Sequence, residues 1–196
     1  KYRILPQEFY ARDPAVVAQD LLGRILVRKV GDKLLAGKVV ETEAYYGAKD
    51  PASRAFGGKK TKVNEGMFAP AGRVFVYMVH NNWMFNVTTG TENEPAAVLI
   101  RAVEPWREID EMFYNRKKKN KNIDRVIDLC SGPGKLSQSF LFDRALQGMD
   151  FTKLSDTFVL DNTETFKIES SHRIGVSRDL RRKLRFYIKG NRFVSK

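Results

Sequence analysis

The sequence predicts an α+β fold: a single domain over residues 1–196, built on a mixed, mostly antiparallel, curved β-sheet with surrounding helices and a protruding β-hairpin. Three observations predict it. Strand-like runs follow one another through short turns and do not alternate regularly with helices, which argues against a parallel α/β sheet. Helix signals are few and scattered among the strand runs. Neither an internal repeat nor a compositional break divides the chain, and 196 residues suffice for one domain with a substantial core.

Each element has a local reason. Asp13 is a good N-cap, Pro14 suits the first helical position, and Val17, Leu21 and Gly23 read as a short amphipathic helix with a glycine stop. The runs RILVRKV (24–30) and KLLAGKVVETEAY (33–45) are strands joined by a hairpin turn at Gly31 and Asp32. Residues 47–73, rich in glycine and carrying Pro51 and Pro70, read as an irregular segment wrapping a surface or a site. RVFVYMVH (73–80) and MFNVTT (84–89) form a hairpin with Asn81, Asn82 and Trp83 at its tip, and AAVLIRA (96–102) is another strand. Pro105 is expected to open a helix carrying Ile109, Met112 and Phe113. IDRVIDL (123–129) and the residues after Ser131, Gly132, Pro133 and Gly134 look helical. TFVL (157–160), TFKIES (165–170) and LRFYIKG (184–190) return to strands.

Composition narrows the functional classes. With 42% apolar and 30% charged residues the chain has a globular balance. Its longest apolar runs, such as 74–79 and 96–100, fall far short of the roughly 20 residues a membrane helix needs, so no membrane partner is expected. The N-terminal residues show no export pattern, which points to an intracellular protein of cytoplasm, nucleoid or nucleus. Cys130 is the only cysteine, so no internal disulfide is possible, and with His80 and His172 alone beside it neither a metal site nor a cofactor is expected. The net charge of +12 favours polyanions through phosphate neutralisation and counterion release. From His172 to the end there are nine Lys or Arg against one acid, Asp179. A second cluster, RKKKNK at 116–121, reads equally as a phosphate contact or a solvated loop.

On the strand GKVVETEAYYG (37–47), Glu41, Glu43 and Tyr45 share one face. Two carboxylates about 6 to 7 Å apart suit glycosidic hydrolysis, in which one handles water. Read alone, they also suit ordinary solvent-facing charges, and Tyr45 and Tyr77 suit ordinary core packing. SGPGKL (131–136) lacks the G-x-x-x-x-G-K-[ST] spacing of a phosphate loop.

GKVVETEAYYG, DPASRAFGGKKTKVNEGMF, APAGRVFVYMV, NVTTG, AAVLIRAVEP, LCSGPGKL and RFYIKGNRFVS resemble, in order and spacing, the successive signature blocks of the alkyladenine (3-methyladenine) DNA glycosylase family, across nearly the whole chain. The resemblance implies an enzyme of base-excision repair acting as a monomer, without an obligate protein partner, on double-stranded DNA containing a damaged purine. Glu43 takes the position of the water-activating carboxylate, and Arg101 that of the arginine beside it, orienting water or holding a phosphate. Tyr45 and Tyr77 match the aromatic walls around the extruded base, and Asn86 the asparagine that reads its edge and disfavours the guanine amino group. Lys135, Arg173 and Arg182 are the expected DNA-backbone contacts.

Two departures from the family concern the substrate. Arg54 stands where the family usually has a histidine in the base pocket. A guanidinium repels cationic bases such as 3-methyladenine but can donate to O6 and N7 of neutral hypoxanthine, so a tilt toward neutral purines is expected. The family's hairpin tip carries a tyrosine wedge followed by Gly-Met. Here His80, Asn81, Asn82 and Trp83 occupy a run one residue shorter. His80 aligns best with the wedge, while Trp83 is the better plug physically. Two other readings remain open: a non-enzymatic damaged-DNA-binding protein on the same scaffold, and a bifunctional glycosylase that forms a Schiff base.

Overall fold

The strand and helix signals resolve, in a computed structural model describing residues 3–91, 93–162 and 164–196, into one eight-stranded sheet flanked by short helices. After α1 (Gln7–Tyr10), helix α2 (Pro14–Asp20) starts as its sequence dictates, with the Asp13 carboxylate accepting from the N–H groups of Ala15 and Val16. Its buried face meets the sheet, and the Thr42 hydroxyl donates to the Ala18 carbonyl at 2.7 Å. Strands β1 (Ile25–Val30) and β2 (Lys33–Tyr45) follow, joined at Gly31, whose φ of +60° glycine adopts without penalty.

The length of β2 has a structural cause, because it crosses the whole sheet. One edge of β2 pairs with β5 (Ala97–Arg107) along its length, while the other pairs first with β1 and then, at Glu41, Thr42 and Glu43, with β8 (Arg185–Ile188). Beyond β5 lie β4 (Asn82–Thr88) and β3 (Val74–Val79), and beyond β1 lies β6 (Thr157–Leu160), while β7 (Ile168–Ser171) pairs with β8. Every registered pair is antiparallel, and the sheet curls into a half-barrel. Helices α3 (Ile109–Lys117), α4 (Ile127–Cys130) and α5 (Pro133–Ser139) pack together beside β4 and β5, α5 starting with Pro133 as expected. The main core joins α2, the sheet and an aromatic group in which Phe85 and Phe142 stack at 4.3 Å. A smaller cluster lies at the end of β2, around Tyr45, Ala55, Met67, Phe75, Met84 and Leu99.

Four local expectations are corrected. Pro105 opens no helix: it lies within β5, opposite Gly37 at an irregularity in the pairing, where its missing N–H breaks no regular ladder. Helix α3 begins only after Glu108, which takes a left-handed φ of 58°. The hairpin tip is His80 and Asn81, with φ of 46° and 59°, because Val79 pairs directly with Asn82. Two left-handed residues form the tight turn that matches strand twist. Trp83 is therefore a strand residue opposite Met78, half-buried against the main core. Of IDRVIDL only residues from Ile127 are helical, since Ile123 reaches the core from an irregular stretch. Strand β7 spans Ile168–Ser171 and not 165–170, limited by the four residues of its partner β8. Among the described residues no helix is long and apolar enough to cross a membrane.

Candidate active site

Two paired irregularities shape the site. In the register of β2 with β5, Val39 faces Val103, Glu41 faces Ala102 and Thr42 faces Ile100, so Val40 and Arg101 are each left without a partner. Such bulges re-aim side chains. Here the result brings Arg101, Glu41 and Glu43 together in the interior. The Arg101 Nε donates to Glu41 Oε1 at 2.7 Å, and its Nη1 lies 3.1 Å from Glu43 Oε1. Both glutamates are fully buried.

Glu41 is a saturated anchor. Besides Arg101 it accepts from Arg185 Nε at 2.7 Å, from the Ser195 N–H at 2.7 Å and from the Ser195 hydroxyl at 2.8 Å. Burial alone raises its pKa, but Arg101, Arg185 and Ser195 outweigh that and hold the carboxyl below its usual range. Burial likewise opposes the charge on Arg101, yet Glu43 and Glu41 raise its pKa and keep it protonated.

Glu43 is less fully occupied. Its Oε1 accepts from the Ile174 N–H at 2.8 Å as well as meeting Arg101, and its Oε2 accepts from the Tyr45 hydroxyl at 2.7 Å. Burial first, and the charge of Glu43 second, push the Tyr45 phenol well above its ordinary range, so it remains a donor.

Tyr45 links this carboxylate to a hollow. Tyr45, Arg54, Tyr77 and Asn86, all expected around a base, line it together with Ala52, Met67, Phe75 and Ala97. The hollow has a volume of about 10 Å³, room for roughly one water. Arg54, exposed, sets its guanidinium 4.6 Å from the Tyr77 ring centroid. Burial pushes the Tyr77 phenol up as well. The amide of Asn86 donates to the carbonyls of Phe75 and Met84 at 3.2 and 3.1 Å, which fixes its orientation. The loop carrying Arg54 is braced by Asn64, which donates to the Arg54 and Lys59 carbonyls, and by Asp50, which accepts from the N–H groups of Tyr46 and Ala52.

The remaining expected contacts scatter. His80 is exposed at the hairpin tip, while Trp83 packs inward with its N–H on the Ser137 hydroxyl at 3.1 Å. Lys135 is half-exposed and pairs with Asp128 at 3.4 Å. Arg182 is exposed, with its guanidinium 4.9 Å from the Tyr46 ring centroid. Arg173, expected on a phosphate, is instead buried against Asp50 and Asp179. In the 116–121 cluster, Arg116 is buried and bonded to the Asp128 carbonyl, and the lysines are exposed. Arg185, Ser195, Asp50 and Asp179 were not anticipated at the site: the first three meet partners more than a hundred positions away, which nothing local marks, and Asp179, six residues from Arg173, reads as the lone acid of a basic run. Among the described residues no group of three or more His, Cys, Asp or Glu is placed to hold a metal.

Comparison with known proteins matches the sequence that builds this arrangement to a family. The chain is 42% identical over 196 residues to a protein of Carboxydothermus hydrogenoformans, an alignment covering 98% of this chain and 99% of that one. It is 39% identical over 199 residues to a protein of Clostridium novyi, covering 98% of each, and 36% identical over 200 residues to one of Clostridium botulinum strain Alaska E43, covering 98% and 99%. Each of these relatives bears the name "Putative 3-methyladenine DNA glycosylase". The sequence profile described as Methylpurine-DNA glycosylase (MPG) matches residues 8–192, from α1 to beyond β8, which takes in every strand of the sheet. With near full-length identity to these relatives and the profile spanning the whole sheet, the chain belongs to the methylpurine-DNA glycosylase family.

Proposed function

We propose that the protein flips a damaged purine out of duplex DNA and hydrolyses its N-glycosidic bond with water activated by Glu43, leaving an abasic site. One observation carries the reading: a fully buried carboxylate, held by Arg101 and the Ile174 amide, is joined through the Tyr45 hydroxyl to an aromatic-lined hollow. Among the described residues Glu43 Oε2 accepts only from Tyr45, so it keeps a lone pair for a water proton. Negative charge held at that point also stabilises the cationic sugar as the bond breaks.

The base would stack against Tyr45 and Tyr77, replacing the stacking lost from the duplex. Both Asn86 amide protons are committed to backbone carbonyls, which leaves its Oδ1, an acceptor, to meet the base edge. A purine does not fit a space of about 10 Å³, so entry requires the side chains of Arg54 and of Val176, which packs on the pocket cluster, to move aside. Arg54 tilts the choice toward neutral purines such as hypoxanthine. His80 is the wedge we favour, since it is exposed at the tip, while Lys135 and Arg182 contact the backbone.

The test is to incubate the protein with duplexes bearing hypoxanthine, ethenoadenine or 3-methyladenine, cleave abasic sites with alkali, and treat a parallel set with borohydride. Lesion-dependent alkali-labile sites without a trapped covalent adduct are expected. Binding without cleavage would leave a damaged-DNA-binding protein, and a trapped adduct would replace water with an amine nucleophile.

A further inference from the structure

Arg173 sits at the start of the basic C-terminal segment, yet its side chain is fully buried. Its Nη1 and Nη2 donate to the two oxygens of Asp50 at 2.6 and 2.7 Å, a bidentate pair. Nε and Nη2 donate to Asp179 Oδ1 at 3.0 and 2.5 Å, and Nη1 also donates to the Ala44 carbonyl at 3.0 Å. Every one of its five N–H donors is thus committed within the protein, and none remains for a phosphate. Burial opposes its charge, but Asp50 and Asp179 raise its pKa and keep it charged.

What these partners hold is the catalytic end of β2. Ala44 lies between Glu43 and Tyr45, Asp50 begins the loop that carries Arg54, and Asp179 belongs to the segment 172–184 that packs on the pocket. The guanidinium lies 4.6 Å from the Tyr45 ring centroid, so one face of that ring is taken and the other is the face available to a base. The next residue, Ile174, puts its N–H on Glu43 Oε1 at 2.8 Å. Stability alone explains this poorly, because buried ion pairs rarely outperform apolar side chains of equal volume.

We infer that Arg173 is a positioning residue: clamped by Asp50 and Asp179, it seats the Ile174 amide on Glu43 and fixes Tyr45 against it, so that base and carboxylate meet in one geometry. The inference rests on Glu43 being the residue that activates water.

The experiment compares the parent with Arg173→Lys, Asp179→Asn and Glu43→Gln. Single-turnover excision is measured at saturating protein on the lesion the parent releases fastest. Binding to a duplex with a tetrahydrofuran abasic analogue is measured across a salt series, and thermal melting is followed for each protein. Lysine keeps the charge but cannot make the bidentate pair, and Asp179→Asn leaves the Arg173 pair with Asp50 intact. Both are expected to lower the saturated rate by about tenfold or more, a usual consequence of misplacing reacting groups, with Kd and its salt slope held within about twofold. If Arg173→Lys fails to fold, Asp179→Asn decides the matter. Parent-like saturated rates in the clamp variants beside an inert Glu43→Gln overturn this inference alone, as does a loss confined to Kd and salt slope. A fully active Glu43→Gln overturns the reading beneath it.

Discussion

Glu41 and Glu43 are chemically alike and two residues apart, and their surroundings divide their roles. Four donors converge on Glu41, from Arg101, Arg185 and the Ser195 amide and hydroxyl, so it acts as an anchor for Arg101 and the C-terminal strand. Glu43 keeps acceptor capacity beside the hollow and so suits the exchange of a proton with water. At the pocket mouth, Arg54 sets the expected selectivity. The parent should release hypoxanthine faster than 3-methyladenine from otherwise identical DNA, and Arg54→His should narrow that ratio by about tenfold, equivalent to roughly 1.4 kcal/mol. Faster release of 3-methyladenine by the parent removes the idea. Part of the geometry at this scale was legible through the family resemblance: Tyr45, Arg54, Tyr77 and Asn86, which it groups, line one hollow. Arg173 was not, because an arginine in a basic run reads the same whether it faces a phosphate or the carboxylates of Asp50 and Asp179.

The hairpin of β3 and β4 carries the proposed wedge. Its tip residues His80 and Asn81 point the turn outward, while Trp83 faces α5 and the core. His80→Ala should therefore weaken binding to lesion DNA by several-fold with an unchanged melting temperature. Trp83→Ala should lower stability by about 2 kcal/mol, less than a fully buried tryptophan costs. A stable Trp83→Ala protein with weakened DNA binding would reverse the assignment. The base of the hairpin is tied by Asp150, which accepts from Arg73 at 2.7 Å and from the Thr152 amide and hydroxyl at 3.0 and 2.6 Å. Modest burial raises its pKa, but Thr152 and Arg73 bring it down to about 2, below the usual aspartate value. Its contribution is therefore complete above about pH 4 and is lost as pH falls toward 2. Asp150→Asn should cost on the order of 1 kcal/mol at neutral pH after solvent screening. Denaturant midpoints of the two proteins should converge in acid, and an equal gap at both pH values would assign the loss to something other than charge. Element boundaries were less legible than elements: Asn81 and Asn82 are both good turn formers, so only pairing in the sheet centres the turn, and Pro105 is absorbed by an irregularity that sequence does not announce.

Across the whole molecule, the net charge of +12 is expected to supply a large share of the affinity for DNA through counterion release. Binding should weaken steeply with salt, and Arg182→Ala should lower the slope of log K against log salt by about 1, the share of one phosphate contact. An unchanged slope would take Arg182 off the DNA. The overall α+β arrangement was legible because hydrophobic alternation and turns are local. The insertion of β8 beside β2, which supplies Arg185 to Glu41, was not, since antiparallel pairing across 144 positions leaves no mark on either strand. Family resemblance over nearly the full chain bridges that gap, because the successive blocks that carry it are the segments the fold brings together.

Single-turnover excision by Glu43→Gln decides whether this carboxylate activates water, because the amide keeps the size of the side chain and removes its basicity. A fall of about a thousandfold or more is expected at saturating protein, with binding to the abasic analogue retained. An excision rate within a few-fold of the parent contradicts it.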